Sequence, residues 1–84
     1  MARGIEELLA KLETEPRSIS FVELRGVCEH FFGQPRRRGG SHLVFKTGLR
    51  EPALVNIQPQ GKMAKAYQCR QVAAAVRARK MEGI

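Results

Sequence analysis

The sequence contains no tryptophan, a single tyrosine and only two cysteines among its 84 residues. Two cysteines are too few for a disulfide framework, and Cys28 and Cys69 lack the close spacing of a metal-binding motif. We therefore expect two reduced thiols that pack as small apolar side chains. A chain of this length has room for one domain with a thin core, so we expect neither a metal nor a cofactor.

No apolar run in the sequence is long enough to span a bilayer. The first residues also lack the apolar stretch and small-residue cleavage site of a signal peptide. We therefore expect a cytoplasmic protein without a membrane partner.

Acidic residues become scarce after the first third of the chain. Residues 1–32 contain four basic and six acidic residues, a net charge of −2, whereas residues 33–84 contain eleven basic and two acidic residues, a net charge of +9. The whole chain has a net charge of +7 and an isoelectric point of about 10.3. This asymmetry indicates a polyanionic partner, with nucleic acid ahead of an anionic membrane surface.

Apolar residues at helical spacing predict three helices, over residues 4–14, from Ser20 to Gly33, and over about 62–80. Ser20 and Glu23 have the form of a capping box, which marks the start of the second helix, and Gly33 is a natural helix stop. The apolar stripe of the last helix consists of Ala66, Cys69, Val72, Ala73 and Val76.

Between the second and third helices, alternating apolar and polar residues predict three short strands. We expect a basic edge strand over residues 34–38 and further strands over residues 41–47 and 53–58. The pair Gly39-Gly40 is typical of a two-residue hairpin turn between the first two strands. Residues 59–61 are expected to form a loop.

This order predicts one α+β domain over residues 1–84. Its core, over residues 18–80, would be an α-β-β-β-α unit, in which a three-stranded antiparallel sheet has both later helices on one face. Residues 1–17 would be an N-terminal helical addition, which packs at the edge or contacts a partner. Alternation in the second strand places His42 and Lys46 on the open face.

The segment from Arg36 to Lys46 concentrates the chemically active side chains. Three arginines precede a glycine turn, and His42 follows it. Arginine binds phosphate through paired hydrogen bonds, glycine permits a close approach of the phosphate backbone, and histidine titrates near neutral pH. RNA cleavage by 2′-OH attack requires a base, an acid and positive charge at the phosphate. The segment therefore suits a nucleolytic site or a basic face that binds nucleic acid without cleaving it.

The chain resembles the HicA family of toxins over about residues 18–80. The resemblance rests on Phe21 to Gly33, on Arg38-Gly-Gly-Ser-His42 followed by Phe45, and on the stretches Val55-Asn-Ile-Gln, Gly61-Lys-Met-Ala-Lys65 and Tyr67-Gln-Cys-Arg-Gln-Val72. It implies a double-stranded-RNA-binding-domain-like α-β-β-β-α fold. It also implies metal-independent cleavage of mRNA, neutralisation by a cognate HicB-type antitoxin, and a catalytic role for His42.

Several residues are predicted to bind RNA around His42. Lys62 and Lys65 are expected at the start of the last helix. There they would either bind a phosphate or simply be solvated. Ser41 would orient His42, contact phosphate or cap the turn. The complete predicted RNA-binding set is Arg36, Arg37, Arg38, Gly40, Ser41, Lys46, Lys62 and Lys65.

The chain departs from the HicA pattern at two positions. Many relatives have a second histidine directly after the first, where this chain has Leu43, and another after the third strand, where it has Gln58-Pro59-Gln60. The second proton transfer would then use Lys46, Tyr67 or water, or His42 would perform both transfers. The alternative function is a non-catalytic RNA-binding module of the same fold, and the sequence leaves the oligomeric state open.

Overall fold

A computed structural model describes residues 4–83 of the protein, apart from the side chain of Arg38. Residues 1–3 and residue 84, which belong to the predicted domain, lie outside this described part. The elements are α1 (Ile5–Thr14), a 3-10 turn (Pro16–Ser18), α2 (Phe21–Phe32), β1 (Arg36–Arg38), β2 (His42–Lys46), β3 (Leu54–Ile57), β4 (Pro59–Gln60), β5 (Met63–Ala64) and α3 (Ala66–Glu82). The predicted order of helices and main strands is confirmed, and β4 and β5 are additional.

Helix α2 begins and ends where its sequence predicts. The hydroxyl of Ser20 accepts a hydrogen bond of 3.1 Å from the Glu23 N–H, and the Glu23 carboxylate accepts one of 2.9 Å from the Ser20 N–H. These two bonds satisfy amide groups that a helix start leaves unpaired. At the other end Gly33 has a φ of 86°, a conformation that favours glycine.

The three main strands form an antiparallel sheet in the order β1-β2-β3. Residues directly opposite each other share a face of such a sheet. Val44 lies opposite Arg36 on one side and Asn56 on the other, and Lys46 lies opposite Leu54. These residues, together with His42, form the open face, which is the sheet face opposite the helices.

The turn between β1 and β2 has three residues, because Arg38 pairs with His42. The prediction of a two-residue turn was wrong, since Ser41 belongs to the turn rather than to the strand. Gly39 and Gly40 have φ angles of 46° and 52°, in the left-handed region that side chains disfavour. The His42 N–H donates to the Gly39 carbonyl at 3.2 Å and closes the turn.

Strands β4 and β5 form a second hairpin in place of the expected loop and helix start. They pair antiparallel around a turn at Gly61 and Lys62. Helix α3 therefore starts at Ala66, and Lys65 is its N-cap residue. The prediction that the last helix begins at Lys62 was wrong, because the chain between Pro59 and Lys65 hydrogen-bonds as strands.

The second hairpin is anchored to the chain that leads into α2. The Ala64 N–H donates to the Ile19 carbonyl at 2.9 Å, and the Phe21 N–H donates to the Lys62 carbonyl at 3.0 Å. A bridge between Ser20 and Met63 continues the same pairing. These backbone bonds explain why this segment is extended rather than helical.

One hydrophobic core joins all three helices to one face of the sheet. Its sheet residues are Leu43, Phe45, Val55 and Ile57, and its α3 residues include Cys69, Val72 and Val76. Leu9 and Leu12 of α1 are fully buried in the same core. The N-terminal helix is thus an integral layer of the fold rather than an attachment at its edge. Among residues 4–83, none of the helices has the length and apolar character needed to cross a membrane.

The loop between β2 and β3 is organised by Thr47. Its hydroxyl donates to the Pro52 carbonyl at 2.6 Å and accepts from the Leu49 N–H at 3.0 Å. The Arg79 guanidinium donates to the Thr47 carbonyl. This loop carries the exposed Arg50 at the end of β2 that is remote from His42.

Candidate nucleic-acid interface and active site

His42 is exposed and begins β2 directly after the glycine turn. The sheet register places Gln58 across from it, one residue beyond the end of β3. A shallow depression, here called the His42 depression, is lined by Gly39, Gly40, Ser41, His42, Gln58 and Pro59. The His42 side chain is exposed, and among the described residues none hydrogen-bonds to its imidazole.

Arg36 and Lys46 lie on the same sheet face as His42. Both are exposed. His42 and Lys46 are four residues apart on one strand, which is about 13 Å at roughly 3.3 Å per residue. Two groups that transfer protons at one scissile bond must both reach it by hydrogen bonding. This separation suits Lys46 to a neighbouring phosphate and disfavours it as the second acid or base.

The arginines of β1 do not all lie on the same face of the sheet. Arg37 lies opposite Leu43 and so belongs to the other face of the sheet end. The backbone of Arg38 pairs with His42, but the Arg38 side chain lies outside the described part of the structure. Of the two arginines whose side chains are described, Arg36 shares the face of His42 and Arg37 does not.

Lys65 lies at the start of the last helix, as expected, whereas Lys62 does not. Lys62 is exposed in the turn of the second hairpin, and Lys65 is half-buried at the N-cap of α3 without a side-chain capping bond. Pro59, the first residue of that hairpin, lines the His42 depression. The hairpin therefore links the depression to Lys62, although the two lysines do not share one helical turn.

The ion pairs among the described residues are confined to the helices. They are Arg25–Glu29 at 3.0 Å within α2, and Arg77–Glu13 and Lys80–Glu6, both at 2.8 Å, between α3 and α1. The hydrogen bond from Arg77 lowers the pKa of Glu13, and the one from Lys80 lowers the pKa of Glu6. The acidic residues of α1 therefore neutralise basic residues at the end of α3.

The basic side chains described between residues 33 and 70 form no ion pair with an acidic residue of the described part. Within residues 33–70, seven cations with described side chains form no ion pair, namely Arg36, Arg37, Lys46, Arg50, Lys62, Lys65 and Arg70. Five of these cations lie on the two hairpins, on the open face or at the N-cap of α3, namely Arg36, Arg37, Lys46, Lys62 and Lys65, whereas Arg50 lies in the remote β2–β3 loop and Arg70 on α3. Such a distribution attracts a polyanion.

Gln68 is a buried polar residue that the sequence interpretation missed. Its side chain is 4% exposed in the first turn of α3. Its amide oxygen accepts a hydrogen bond of 2.9 Å from the Gln58 N–H, and its amide nitrogen donates to the Tyr67 hydroxyl at 3.4 Å. Gln68 precedes Val72 by four residues and so lies on the same helix face as the apolar stripe. This spacing could have predicted that its side chain is buried.

The two cysteines lie in the core, as the sequence predicts. Burial raises the pKa of Cys69 to about 11 and raises the pKa of Cys28 as well. The Cys69 thiol donates to the Pro16 carbonyl at 3.7 Å. Neither thiol is suited to nucleophilic chemistry, because the thiolate is the reactive form.

Within the described ranges, no group of three histidine, cysteine, aspartate or glutamate side chains is arranged to hold a metal ion. Comparisons of the chain with family models, curated proteins and solved structures find no match. The His42 depression brings one imidazole together with a glycine-rich backbone, and Arg36 and Lys46 lie on the same sheet face. This combination can bind a phosphodiester and move a proton at it.

Proposed function

We propose that the protein is a metal-independent endoribonuclease of the HicA toxin type, which cleaves mRNA in the cytoplasm and is neutralised by a HicB-type antitoxin. The observation that carries this proposal is the exposed imidazole of His42 beside a glycine turn, on a sheet face that also bears Arg36 and Lys46. The resemblance of residues 18–80 to that family supports it. The α-β-β-β-α order agrees with a double-stranded-RNA-binding-domain-like core, to which α1 and the second hairpin are added.

In this proposal an RNA strand crosses the glycine turn and the open face. Gly40 leaves room for the phosphate backbone, and Arg36 and Lys46, which lie further along the open face from the turn than His42, bind the neighbouring phosphates on that side. Arg37, Arg38, Ser41, Lys62 and Lys65 complete the binding surface around the two hairpins. The uncompensated charge of these segments would hold the strand and stabilise the charged transition state.

His42 acts on the scissile phosphodiester as the general base. It takes the proton of the 2′-OH while the 2′-oxygen bonds to phosphorus and the bond from phosphorus to the 5′-oxygen breaks. The leaving 5′-oxygen receives a proton from the imidazolium of His42 or from water. These are the proposed acids because His42 is the titratable side chain that lines the His42 depression.

The antitoxin would cover the same surface. Because the exposed cations near the turn lack partners among residues 4–83, an acidic surface would complement them. Its binding would block access of RNA to His42.

The decisive experiment compares wild type, His42→Ala and His30→Ala. His30 is the matched control, because it is an exposed histidine on α2 and does not line the His42 depression. We expect wild type and His30→Ala to arrest growth and to cleave purified mRNA in the presence of EDTA. Folded His42→Ala should lose about 10²–10⁴-fold in cleavage rate while still binding RNA. Cleavage by His42→Ala at the wild-type rate would overturn the assignment.

A non-catalytic RNA-binding module is the second candidate function. It is favoured by the His42 imidazole, which no described side chain orients by a hydrogen bond. In that case purified wild type would bind RNA with strong salt dependence but leave it intact. Expression would then leave cellular mRNA at its normal length.

A further inference from the structure

A second depression lies beside the β1–β2 turn, on the side that bears Arg37. This Phe21 depression is lined by Phe21, Arg25, Arg37, Gly40, Ser41, Leu43 and Pro59. Its volume is about 200 Å³, below the roughly 300–1,000 Å³ of pockets that hold drug-sized ligands. It therefore has room for a single ring-sized group.

The walls of the Phe21 depression combine apolar surface with two guanidinium groups. Phe21 is half-buried, while Leu43 is 4% exposed and belongs to the core. Arg25 donates from its Nε to Glu29 at 3.0 Å, which orients its guanidinium and leaves the terminal nitrogens for a ligand. Arg37 forms no ion pair with any residue of the described part.

A nucleobase matches this combination of surfaces. Bases stack on aromatic rings and on arginine planes, and their edges accept hydrogen bonds from guanidinium groups. The attached phosphate adds negative charge, which complements Arg25 and Arg37. A purely apolar ligand would leave both guanidinium groups without a role.

The two depressions share a wall. Gly40, Ser41 and Pro59 line both the His42 depression and the Phe21 depression. A nucleotide whose phosphate lies at His42 would therefore carry its own or its neighbour's base to the edge of the Phe21 depression. Gly40 has no side chain to obstruct this crossing of the turn.

We propose that the Phe21 depression binds one unstacked base of the RNA, next to the phosphate at His42, and so sets the sequence preference of cleavage. This inference rests on the proposed endoribonuclease function and names its substrate class as single-stranded RNA. A base reaches such a depression only when it is unpaired and turned out of the stack.

The first test titrates the full-length His42→Ala protein with two probes, followed by NMR. One probe is a single-stranded RNA tetranucleotide, and the other is an abasic ribose-phosphate oligomer of the same length. We expect both probes to shift the amides of Arg36 and Lys46, but only the RNA to shift the ring protons of Phe21.

Each other outcome has a defined meaning. Equal shifts of Phe21 with both probes, or shifts confined to Arg36 and Lys46, would overturn the base-binding site and leave the proposed function intact. In a separate titration with a glutamate-rich peptide, shifts of Phe21 that the RNA does not produce would overturn the base-binding site and show a protein ligand instead. Absence of binding by both probes would overturn the proposed function and this inference with it.

The second test compares cleavage sites of variants on a mixed-sequence RNA. Phe21→Leu keeps apolar volume but removes the ring, and Arg37→Gln removes the charge. Arg50→Gln is the matched control, because it removes a charge from the loop remote from the turn. We expect the first two variants to bind RNA about tenfold to a hundredfold more weakly and to lose base preference, while Arg50→Gln keeps the wild-type cleavage pattern. Unchanged cleavage sites in Phe21→Leu would overturn the inference.

Discussion

The backbone N–H of Gln58 donates a hydrogen bond of 2.9 Å to the side-chain oxygen of Gln68, ten residues later in the chain. Gln58 lies across the sheet register from His42, and Gln68 lies in the first turn of α3. The bond therefore fastens the strand end that lines the His42 depression to the helix layer. Since Gln68 is buried, water does not readily replace it.

Replacement of Gln68 by leucine should destabilise the protein and loosen the site. The Gln58 N–H would lose its partner, at a cost of roughly 1–3 kcal/mol in the free energy of unfolding. Urea denaturation measures this loss, and cleavage assays should show a decrease in kcat. Gln71→Leu is the control, because Gln71 is an exposed residue of the same helix. Equal stability of the two variants would contradict the prediction.

Two glycine-to-alanine substitutions should act in opposite directions. Gly40 has a φ of 52° in the β1–β2 turn, so Gly40→Ala should destabilise the protein by roughly 1–2 kcal/mol. Gly26 is an exposed residue within α2, and a Cβ added there meets nothing within 4 Å. Gly26→Ala should therefore stabilise the protein by about 0.5–1 kcal/mol. Thermal denaturation should show a lower melting temperature than wild type for Gly40→Ala and a higher one for Gly26→Ala.

Both thiols should be inert in the folded protein. Burial raises the pKa of Cys69 to about 11 and also raises that of Cys28. At about pH 8, three units lower, only about one Cys69 thiol in a thousand would be ionised. A thiol reagent should therefore modify neither cysteine until guanidinium chloride unfolds the chain. Rapid modification of the native protein would show that the core opens more often than its packing indicates.

The ion pair between Glu13 and Arg77 should make stability weakly dependent on pH. The hydrogen bond from Arg77 lowers the pKa of Glu13 in the folded state below its ordinary value of 4.5. The stabilisation is therefore present above about pH 4.5 and is lost as the pH falls through the lowered value.

Because the pair is at the surface, its contribution to the free energy of unfolding should be small. Thermal melts of wild type and Glu13→Gln, from neutral to strongly acidic pH, should converge at the acid end. Glu7→Gln, on the same helix, is the control and should melt in parallel with wild type. A constant gap between wild type and Glu13→Gln at every pH would argue against the linkage.

The sequence predicts those elements whose conformation is determined by residues close to each other in the chain. The capping box of Ser20 and Glu23 marks the start of α2, and the alternation of residues 53–58 places Val55 and Ile57 in the core, as the structure confirms. In each case a side-chain bond or a two-residue period determines the conformation within a few residues.

Elements held by distant partners were not predictable in the same way. The strands Pro59–Gln60 and Met63–Ala64 are too short to show a period, and their pairing with Ile19 and Ser20 depends on the fold. The expected start of α3 at Lys62 failed for this reason. The sequence predicted the segment around His42, but not which arginine shares its sheet face. Alternation assigns Arg36 and Arg37 to opposite faces, and only the register of β1 shows which of them lies with His42.

Helices α1 and α3 run in opposite directions along each other, because Glu6 pairs with Lys80 and Glu13 pairs with Arg77. The first turn of α1 and the last turn of α3 therefore lie near each other. A short flexible linker between them would give a circular protein with the same helix pairing. Closing the chain in this way would lower the conformational entropy of the unfolded state and leave the surface that carries His42 untouched.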